Sequence, residues 1–174
     1  MTLEETLAQI KPLDKNAMDV AAKRWDSIAK PLHSLGKMEK LVIQIAGITG
    51  NPDMKIQKRA LVPMCADNGV VEEGVTQTGQ EVTAIVAENF LSGDTSACVM
   101  SRQCGTKVIP VDIGMAVDTK VSKELKVAYG TANMTKGPAM TRAQAVQALE
   151  AGIEMVRRLK EEGYGLLATG AVSY

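Results

Sequence analysis

The residues best suited to bind or transform a ligand lie in the stretch ADNGVVEEGVTQTGQ (66–80), which follows the first predicted strand. They combine a carboxylate, amides, a hydroxyl and a flexible glycine backbone: Asp67, Asn68, Gly69, Thr76 and Gln80. Neutral donors and acceptors beside apolar side chains such as Val75 and Val82 suit an uncharged heteroaromatic ligand, because they can hydrogen-bond a ring nitrogen while apolar groups enclose the ring. An ordinary loop rich in turn-forming residues explains the same composition, and spacing alone does not separate the two interpretations.

Two other loops carry polar residues beside predicted elements. Asp112 ends the second predicted strand, where a single aspartate usually serves as a turn or cap residue. The loop YGTANMTKGPAM (129–140) precedes a capped helix whose N-terminus, with Lys136 nearby, could hold an anion, although a surface crossover loop explains these residues equally simply. Glu72 and Glu73 are adjacent, so we expect them to point apart into solvent.

The composition argues against several classes of function. Lys plus Arg and Asp plus Glu number 20 each, so no net field attracts nucleic acid or an anionic membrane surface. Cys65, Cys98 and Cys104 form no CxxC pair and share a single histidine, His33, which predicts buried free thiols rather than a zinc site. The chain contains neither GxxxxGKS/T nor GxGxxG. Its acidic, amphipathic N-terminus and the lack of a long apolar run predict a cytoplasmic protein with no membrane partner.

The elements that must position these residues begin with short helices in the first fifty residues. Asp14 is expected to cap a helix that Pro31 closes. Ser34 is expected to cap a second helix, whose apolar residues recur at helical spacing and which ends near Gly47 or Gly50.

After residue 50 three apolar runs predict buried strands of a parallel sheet: 59–66, 107–113 and 166–168. Pro63 and Pro110 each remove a ladder hydrogen bond and argue against a central position for the first two strands. Thr169 and Gly170 are expected to form the turn after the third strand.

The segments between the strands carry helix signals. Thr78 with Glu81 matches a capping box, and Thr141 with Gln144 matches another at the start of a long helix. Asp94 is expected to cap a shorter helix between them.

This alternation predicts an α/β fold, specifically a Rossmann-like three-layer parallel sheet. About three strands make the sheet incomplete, because natural sheets usually have about four to six. The turn cluster GNPD is the expected boundary between an N-terminal helical subdomain, residues 1–50, and the α/β domain, residues 51–174.

Five segments, in order along the chain, resemble one family: RWDSIAKPLHSLGKMEKL, ADNGVVEEGVTQTGQEVT, ENFLSGDTSACVM, PVDIGM and GTANMTKGPAMTRAQAVQALEAG. That family is nicotinate-nucleotide:dimethylbenzimidazole phosphoribosyltransferase. The resemblance runs from about Trp25 to Gly170 and covers the N-terminal half of the family's pattern.

The resemblance implies phosphoribosyl transfer from nicotinate mononucleotide to a nitrogen of 5,6-dimethylbenzimidazole, or of a related lower-ligand base, in cobalamin assembly. It also implies a Rossmann-like sheet, a small helical domain assembled from both chain ends, a homodimer, and no metal or organic cofactor. It assigns nucleotide contacts to Thr169 and Gly170. The matching base-binding positions are Asp67, Asn68, Gly69, Thr76, Gln80, Val82 and Thr83.

One departure from the family affects catalysis. The family continues LLATG into EMGIGNTT, whose glutamate assists the reaction and whose glycines hold the phosphate, whereas this chain has Ala171 at the glutamate position. The family's principal catalytic glutamate lies further on, so the catalytic residues of this chain are unknown. We therefore expect either a truncated transferase or a noncatalytic base-binding or assembly subunit that pairs with a second chain carrying the rest.

Overall fold

The structure is a computed structural model that describes residues 1–173. The chain divides into two compact units: residues 7–56 form a helical unit, and residues 1–6 join residues 57 onward in a unit that contains the sheet. Relative to the predicted domains, 1–50 and 51–174, the helical unit also takes in residues 51–56 and leaves the first six residues to the other unit. No helix among residues 1–173 combines the length and apolar character needed to cross a membrane.

Three helices occupy the N-terminal part of the chain: α1 (Leu3–Ala8), α2 (Lys15–Ser27) and α3 (Lys37–Thr49). Asp14 caps α2 as predicted, and its side chain accepts a hydrogen bond from the N–H of Ala17 at 3.0 Å. The prediction that Ser34 caps α3 is wrong, because turns continue to Gly36 and no side chain caps the helix. The predicted end is confirmed at Gly50, which adopts a left-handed conformation.

The sheet contains four strands: β1 (Lys58–Ala66), β2 (Thr106–Val108), β3 (Val111–Gly114) and β4 (Tyr164–Val172). All pair parallel to β1, which is therefore central despite Pro63. β4 pairs along almost all of β1. The opposite edge of β1 is therefore shared by β2 and β3. They are two halves of the predicted strand 107–113, which breaks at Pro110 because proline has no N–H for the ladder.

The last strand differs from its prediction in length and burial. Thr169 and Gly170, expected in a turn, continue β4 and pair with Val62 and Pro63. The strand extends because β1 still offers a paired edge as far as Cys65. Most of β4 is exposed, so it is an edge strand rather than a buried one.

Three helices and one short 3₁₀ segment connect these strands: a 3₁₀ turn (Gly69–Glu73), α4 (Glu81–Ser92), α5 (Ser96–Gln103) and α6 (Arg142–Glu161). The Thr141–Gln144 capping box of α6 is confirmed. The predicted capping box of Thr78 with Glu81 is wrong, since α4 begins after Gln80 without a side-chain cap. Thr95 caps α5 in place of Asp94, whose N–H instead bonds to Asn89 O at the end of α4.

Two hydrophobic cores lie on opposite faces of the sheet. Cys65 of β1 packs with Phe90 of α4 and Cys98 of α5 in one core, while Val62 of β1 packs with Leu159 of α6 in the other. Alternate residues of a strand point to opposite faces, so α4 with α5 and α6 cover different sides. The predicted three-layer α/β architecture is confirmed.

Candidate ligand-binding site

The carboxyl ends of the strands bring the polar loops together at one edge of the sheet, where doubly wound folds bind ligands. The carbonyl of Gly114, at the end of β3, accepts hydrogen bonds from the N–H groups of Asp67 and Gly130 at 3.0 and 3.1 Å. The carbonyl of Asp67 accepts a further bond from the N–H of Thr131 at 3.0 Å. Backbone hydrogen bonds thus join the loop after β1 to the loop that precedes α6.

Asp67 supports this edge from beneath its surface. The residue is fully buried, and its Oδ2 accepts a hydrogen bond from the N–H of Ala116 at 2.7 Å. Oδ1 is also buried and has no hydrogen-bond partner among residues 1–173. Within the predicted site, Asp67 is therefore placed to hold the backbone after β3 rather than to face solvent.

Asp112 supports the same edge together with Lys126, which no sequence pattern indicates. Oδ1 of Asp112 accepts hydrogen bonds from the N–H groups of Gly114 and Met115 at 3.1 and 2.9 Å. Nζ of Lys126 lies 3.0 Å from Oδ2 of Asp112, and both side chains are almost completely buried. A lone lysine in a loop carries no sequence signal for such a role, because its partner is brought near only by the fold.

The thiol of Cys65 lies beside these carboxylates and is not a nucleophile. Burial, followed by the negative charges of Asp112 and Asp67, raises the pKa of the Cys65 thiol to about 11. Cys65 therefore remains protonated at neutral pH. It and Cys98 are buried free thiols, as predicted, while Cys104 is exposed.

Asn68 and Gln80 form the part of the predicted site that a ligand can reach. The Nε2 of Gln80 donates a hydrogen bond to the carbonyl of Asn68 at 3.2 Å. The Asn68 amide donates to Oγ of Ser173, just after β4. Both residues are half-buried, and Oε1 of Gln80 has no hydrogen-bond partner among residues 1–173. This neutral acceptor lies beside the end of β1, next to Asn68.

The remaining predicted base-binding residues are not all equally accessible. Thr76 is half-buried, and its Oγ1 donates to the carbonyl of Thr78 at 2.6 Å, so it shapes the turn before α4. Val82 is half-buried in the first turn of α4. Thr83 is fully buried, and its Oγ1 has no hydrogen-bond partner within the described chain.

Gly69 and Asn133 lock the two loops together. The N–H of Gly69 donates to Oγ1 of Thr131 at 3.2 Å, and a Cβ at Gly69 would lie 2.6 Å from the carbonyl oxygen of Thr131. The Nδ2 of buried Asn133 donates to Oε1 of Glu73 at 2.6 Å and, more weakly, to Oε2 of Glu72 at 3.4 Å. We call the contacts of Asn133 with Glu72 and Glu73 the loop clasp.

The loop clasp bears on two interpretations of the sequence. Glu72 and Glu73 are exposed, as expected, but they converge on Asn133 instead of pointing apart. Lys136, a possible anion contact in the sequence, donates to Oε2 of Glu72 at 2.9 Å. A hydrogen bond from Lys136, and to a smaller extent one from Asn133, holds the pKa of Glu72 below its usual range.

The predicted nucleotide-binding residues lie in a strand rather than a loop. Thr169 and Gly170 are exposed within β4, before its last residue, Val172. Ala171 is exposed and pairs with Met64 of β1. Its methyl group can neither donate nor accept a proton.

A cavity of about 670 Å³ lies next to the loops on the α6 side of the sheet. Its walls come from the ends of β1 and β3, the loop before α6 and the first turns of α6: Ala66, Ile113, Gly114, Val127, Ala128, Gly130, Thr131, Ala132, Pro138, Ala139, Met140, Thr141, Arg142, Gln144 and Ala148. No local pattern in the sequence predicts this cavity, because its walls come from residues that are distant in sequence. Among residues 1–173, no group of three or more His, Cys, Asp or Glu side chains could hold a metal ion.

These features define an α/β protein with a candidate small-ligand site at the carboxyl edge of a parallel sheet. Residues 10–173 match the model of a family described as phosphoribosyltransferase, and the chain belongs to that family. The resemblance found in the sequence is confirmed by relatives named nicotinate-nucleotide–dimethylbenzimidazole phosphoribosyltransferase. The chain is 49% identical to the Clostridium tetani protein and 46% identical to the Ruminiclostridium cellulolyticum protein.

These matches cover 97% and 98% of this chain but 47% and 49% of the two relatives, so the chain spans about half the length of the curated relatives it matches. The structure is also similar to the crystal structure of the enzyme of that name from Thermus thermophilus. The TM-score is 0.84 at 35% identity, over 92% of this chain and 50% of the other.

Proposed function

We propose that this chain serves the reaction for which its relatives are named. Nicotinate mononucleotide and 5,6-dimethylbenzimidazole, or a related lower-ligand base, would give α-ribazole 5′-phosphate and nicotinate. The observation that carries the proposal is the free Oε1 of Gln80 beside the end of β1, in a chain whose family match covers residues 10–173.

A neutral acceptor of this kind can orient the attacking base in this reaction. One ring nitrogen of the base attacks C1′ of the ribose and forms the new N–C bond, while the bond from C1′ to nicotinate breaks and its electron pair passes to the nicotinate ring nitrogen. The second ring nitrogen loses its proton to a general base. An amide oxygen that accepts a hydrogen bond from the ring N–H orients the base without trapping that proton. In this assignment Gln80 contacts the base, Val82 lies beside it, and Asp67 positions the loop.

The remaining elements of the proposal concern partners and location. We assign the nucleotide contacts to Thr169 and Gly170, near the end of β4. We place the protein in the cytoplasm and propose that it forms a homodimer or pairs with a segment equivalent to the other half of its relatives.

Calorimetric titration of the folded chain with 5,6-dimethylbenzimidazole tests the base-binding assignment. We expect saturable binding at one site, with adenine and p-cresol as comparison bases. A folded sample that gives no binding heat with any of the three bases, at more than one temperature, would reject the assignment.

A second candidate function is a noncatalytic base-binding or assembly subunit, and Ala171 favours it. The resemblance puts a glutamate at this position, and alanine cannot replace its carboxylate. A fusion separates the two candidates: this chain joined to the portion of the Clostridium tetani relative outside the matched region, made with Ala171 and with Ala171→Glu. Product from both fusions supports the transferase, whereas product only with Ala171→Glu supports the subunit.

A further inference from the structure

The outer edge of β4 is an unpaired edge of the sheet. Among residues 1–173, β4 pairs with β1 alone. The N–H of Ile109 donates to the carbonyl of Leu61 at 2.9 Å, so the peptide groups of Leu61 face the β2 side of β1. Leu61 stands opposite Ala168 in the parallel register, and the peptide groups of Ala168 must therefore face β1.

The neighbouring residues of β4 direct their peptide groups the other way. Because orientation alternates along a strand, the N–H and carbonyl groups of Leu167, Thr169 and Ala171 face away from β1. These outward groups have no hydrogen-bond partner among residues 1–173. An edge of this kind is a template for another extended chain.

Nothing within β4 blocks such pairing. Natural sheets usually protect an edge with a lysine, a proline, a bulge or a covering element. The stretch LLATGAV (166–172) contains no charged residue and no proline, and its register with β1 is regular. Residues 168–171 are all exposed. The outer edge is therefore available to a further strand.

We propose that β4 pairs antiparallel with β4 of a second copy of this chain, with the twofold axis at Thr169. This register places Thr169 opposite itself and Leu167 opposite the partner's Ala171. Among the outward-facing residues, it is the register that pairs all of them with one another. Every outward N–H of one copy then meets an outward carbonyl of the other.

The side chains of β4 are also self-complementary in this register. Leu166 is 45% exposed in the single chain and gains an apolar neighbour across the axis. No pair brings two charges together, and each large side chain meets an equal or smaller one. The pairs are Leu167 with Ala171, Leu166 with Val172, Ala168 with Gly170, and Thr169 with itself.

The pairing ends at two copies and is reversible. Each chain offers one outer edge of β4, and a twofold axis uses that edge completely. The contact spans residues 166–172 on each side, whereas a standard interface involves about 20–30 residues a side. We therefore expect dimers that form and dissociate with concentration. This pairing gives the proposed homodimer a surface and does not depend on base binding.

Charge substitutions at the axis test the proposal. The parent chain should sediment at 18.5 kDa when dilute and approach twice that mass as its concentration rises. Thr169→Lys and Thr169→Glu each place like charges directly opposite one another, so each should self-associate at least tenfold more weakly. An equimolar mixture of the two variants places opposite charges at the axis and should restore dimers.

A disulfide trap tests the register. Cys104→Ser first removes the exposed thiol from the background. Thr169→Cys should then form a disulfide dimer under mild oxidation, because opposed Cα atoms of a hydrogen-bonded pair lie about 5.5 Å apart. Ala171→Cys is the matched control on the same edge. Its counterpart in the partner lies roughly 13 Å away along the strand, so it should not cross-link.

Three results would overturn the proposal, each obtained with variants shown to be folded by circular dichroism. The parent chain stays monomeric at about 1 mM or forms oligomers larger than a dimer; the mixture of Thr169→Lys and Thr169→Glu stays monomeric; or Ala171→Cys cross-links as well as Thr169→Cys does. A monomeric chain that binds the unmatched portion of the Clostridium tetani relative also overturns it, by assigning the edge to that segment.

Titration with 5,6-dimethylbenzimidazole keeps the two proposals separate. Base binding by a chain that stays monomeric rejects the strand pairing alone. Dimers that bind no base reject the proposed function and leave the strand pairing standing.

Discussion

The side-chain Nε2 of Gln80 donates a hydrogen bond to the backbone carbonyl of Asn68 at 3.2 Å, tying the start of α4 to the end of β1. This contact uses the donor end of the amide and leaves Oε1 as an acceptor beside the end of β1. The hydrogen bond thereby holds the Gln80 side chain in place, while its amide oxygen stays available to a ligand.

Gln80→Ala should weaken the binding of 5,6-dimethylbenzimidazole by about fivefold, corresponding to roughly one hydrogen bond of about 1 kcal/mol. The reason is the loss of both the fixed acceptor and the contact with Asn68. Calorimetry measures the change, and Gln77→Ala, an exposed glutamine in the same loop, is the matched control. Equal affinity in Gln80→Ala and the parent chain would remove Gln80 from the site.

Gly69→Ala should destabilise the sheet unit by about 2 kcal/mol and abolish base binding, because the new Cβ meets rigid backbone at Thr131 and Ala132. Gly137→Ala is the control in the opposing loop, where a Cβ meets nothing within 4 Å. Denaturant unfolding and base titration provide the two readouts. Identical unfolding midpoints for the two variants would show that the close approach of the loops is not required.

Lys126→Met should lower the free energy of unfolding by about 3 kcal/mol, since it leaves the carboxylate of Asp112 buried without its cation. Adding Asp112→Asn should recover part of the loss, because the double variant buries no unpaired charge. Urea unfolding of the single and double variants measures both effects. Additive losses would contradict direct coupling of the two residues.

Acid should weaken the fold through carboxylates whose folded pKa is low. Hydrogen bonds from Arg157 and then Arg158 lower the pKa of Glu154 from 4.5 to about 2. This stabilisation is complete above pH 4.5 and is lost as the pH falls towards 2, because the unfolded state binds the proton first. Glu154→Gln should reduce the slope of the unfolding free energy in this interval, whereas Glu162→Gln should not. An unchanged slope in Glu154→Gln would refute the assignment.

His33→Gly should stabilise the helical unit by about 1 kcal/mol. His33 is the one non-glycine residue with positive φ among those described, at φ +58°, and a Cβ in the left-handed region costs roughly 1–2 kcal/mol. Thermal unfolding measures the gain, and Ser34→Gly, at a neighbouring position without positive φ, should instead reduce stability. A lower melting temperature for His33→Gly than for the parent would contradict the strain argument.

Local signals in the sequence predicted only part of the local structure. Asp14 and the Thr141–Gln144 pair act on backbone groups within three residues, so their caps could be assigned without the fold. Ser34, Thr78 and Asp94 matched the same kind of signal but do not cap their helices.

The length of β4 depends on β1, a strand about one hundred residues away, and the expected turn at Thr169 was therefore wrong. Asp67 illustrates the same limit within the site, because its position after a strand was visible but its complete burial was not.

Contacts between loops were the least predictable part of the site. Asn133 and Glu73 are separated by 60 residues, and only the folded sheet edge brings them into hydrogen-bonding distance. Lys126 and Asp112 likewise meet through the loop that follows β3. Neither pair has a spacing that distinguishes it from ordinary surface residues.

Product formation by the fusion protein tests the central claim most directly. The fusion is incubated with nicotinate mononucleotide and 5,6-dimethylbenzimidazole, and α-ribazole 5′-phosphate and nicotinate are quantified together. We expect equal amounts of the two products, at a rate that Gln80→Ala reduces at subsaturating base. Folded fusions that bind both substrates but form no α-ribazole 5′-phosphate, neither with Ala171 nor with Ala171→Glu, would contradict the proposed function.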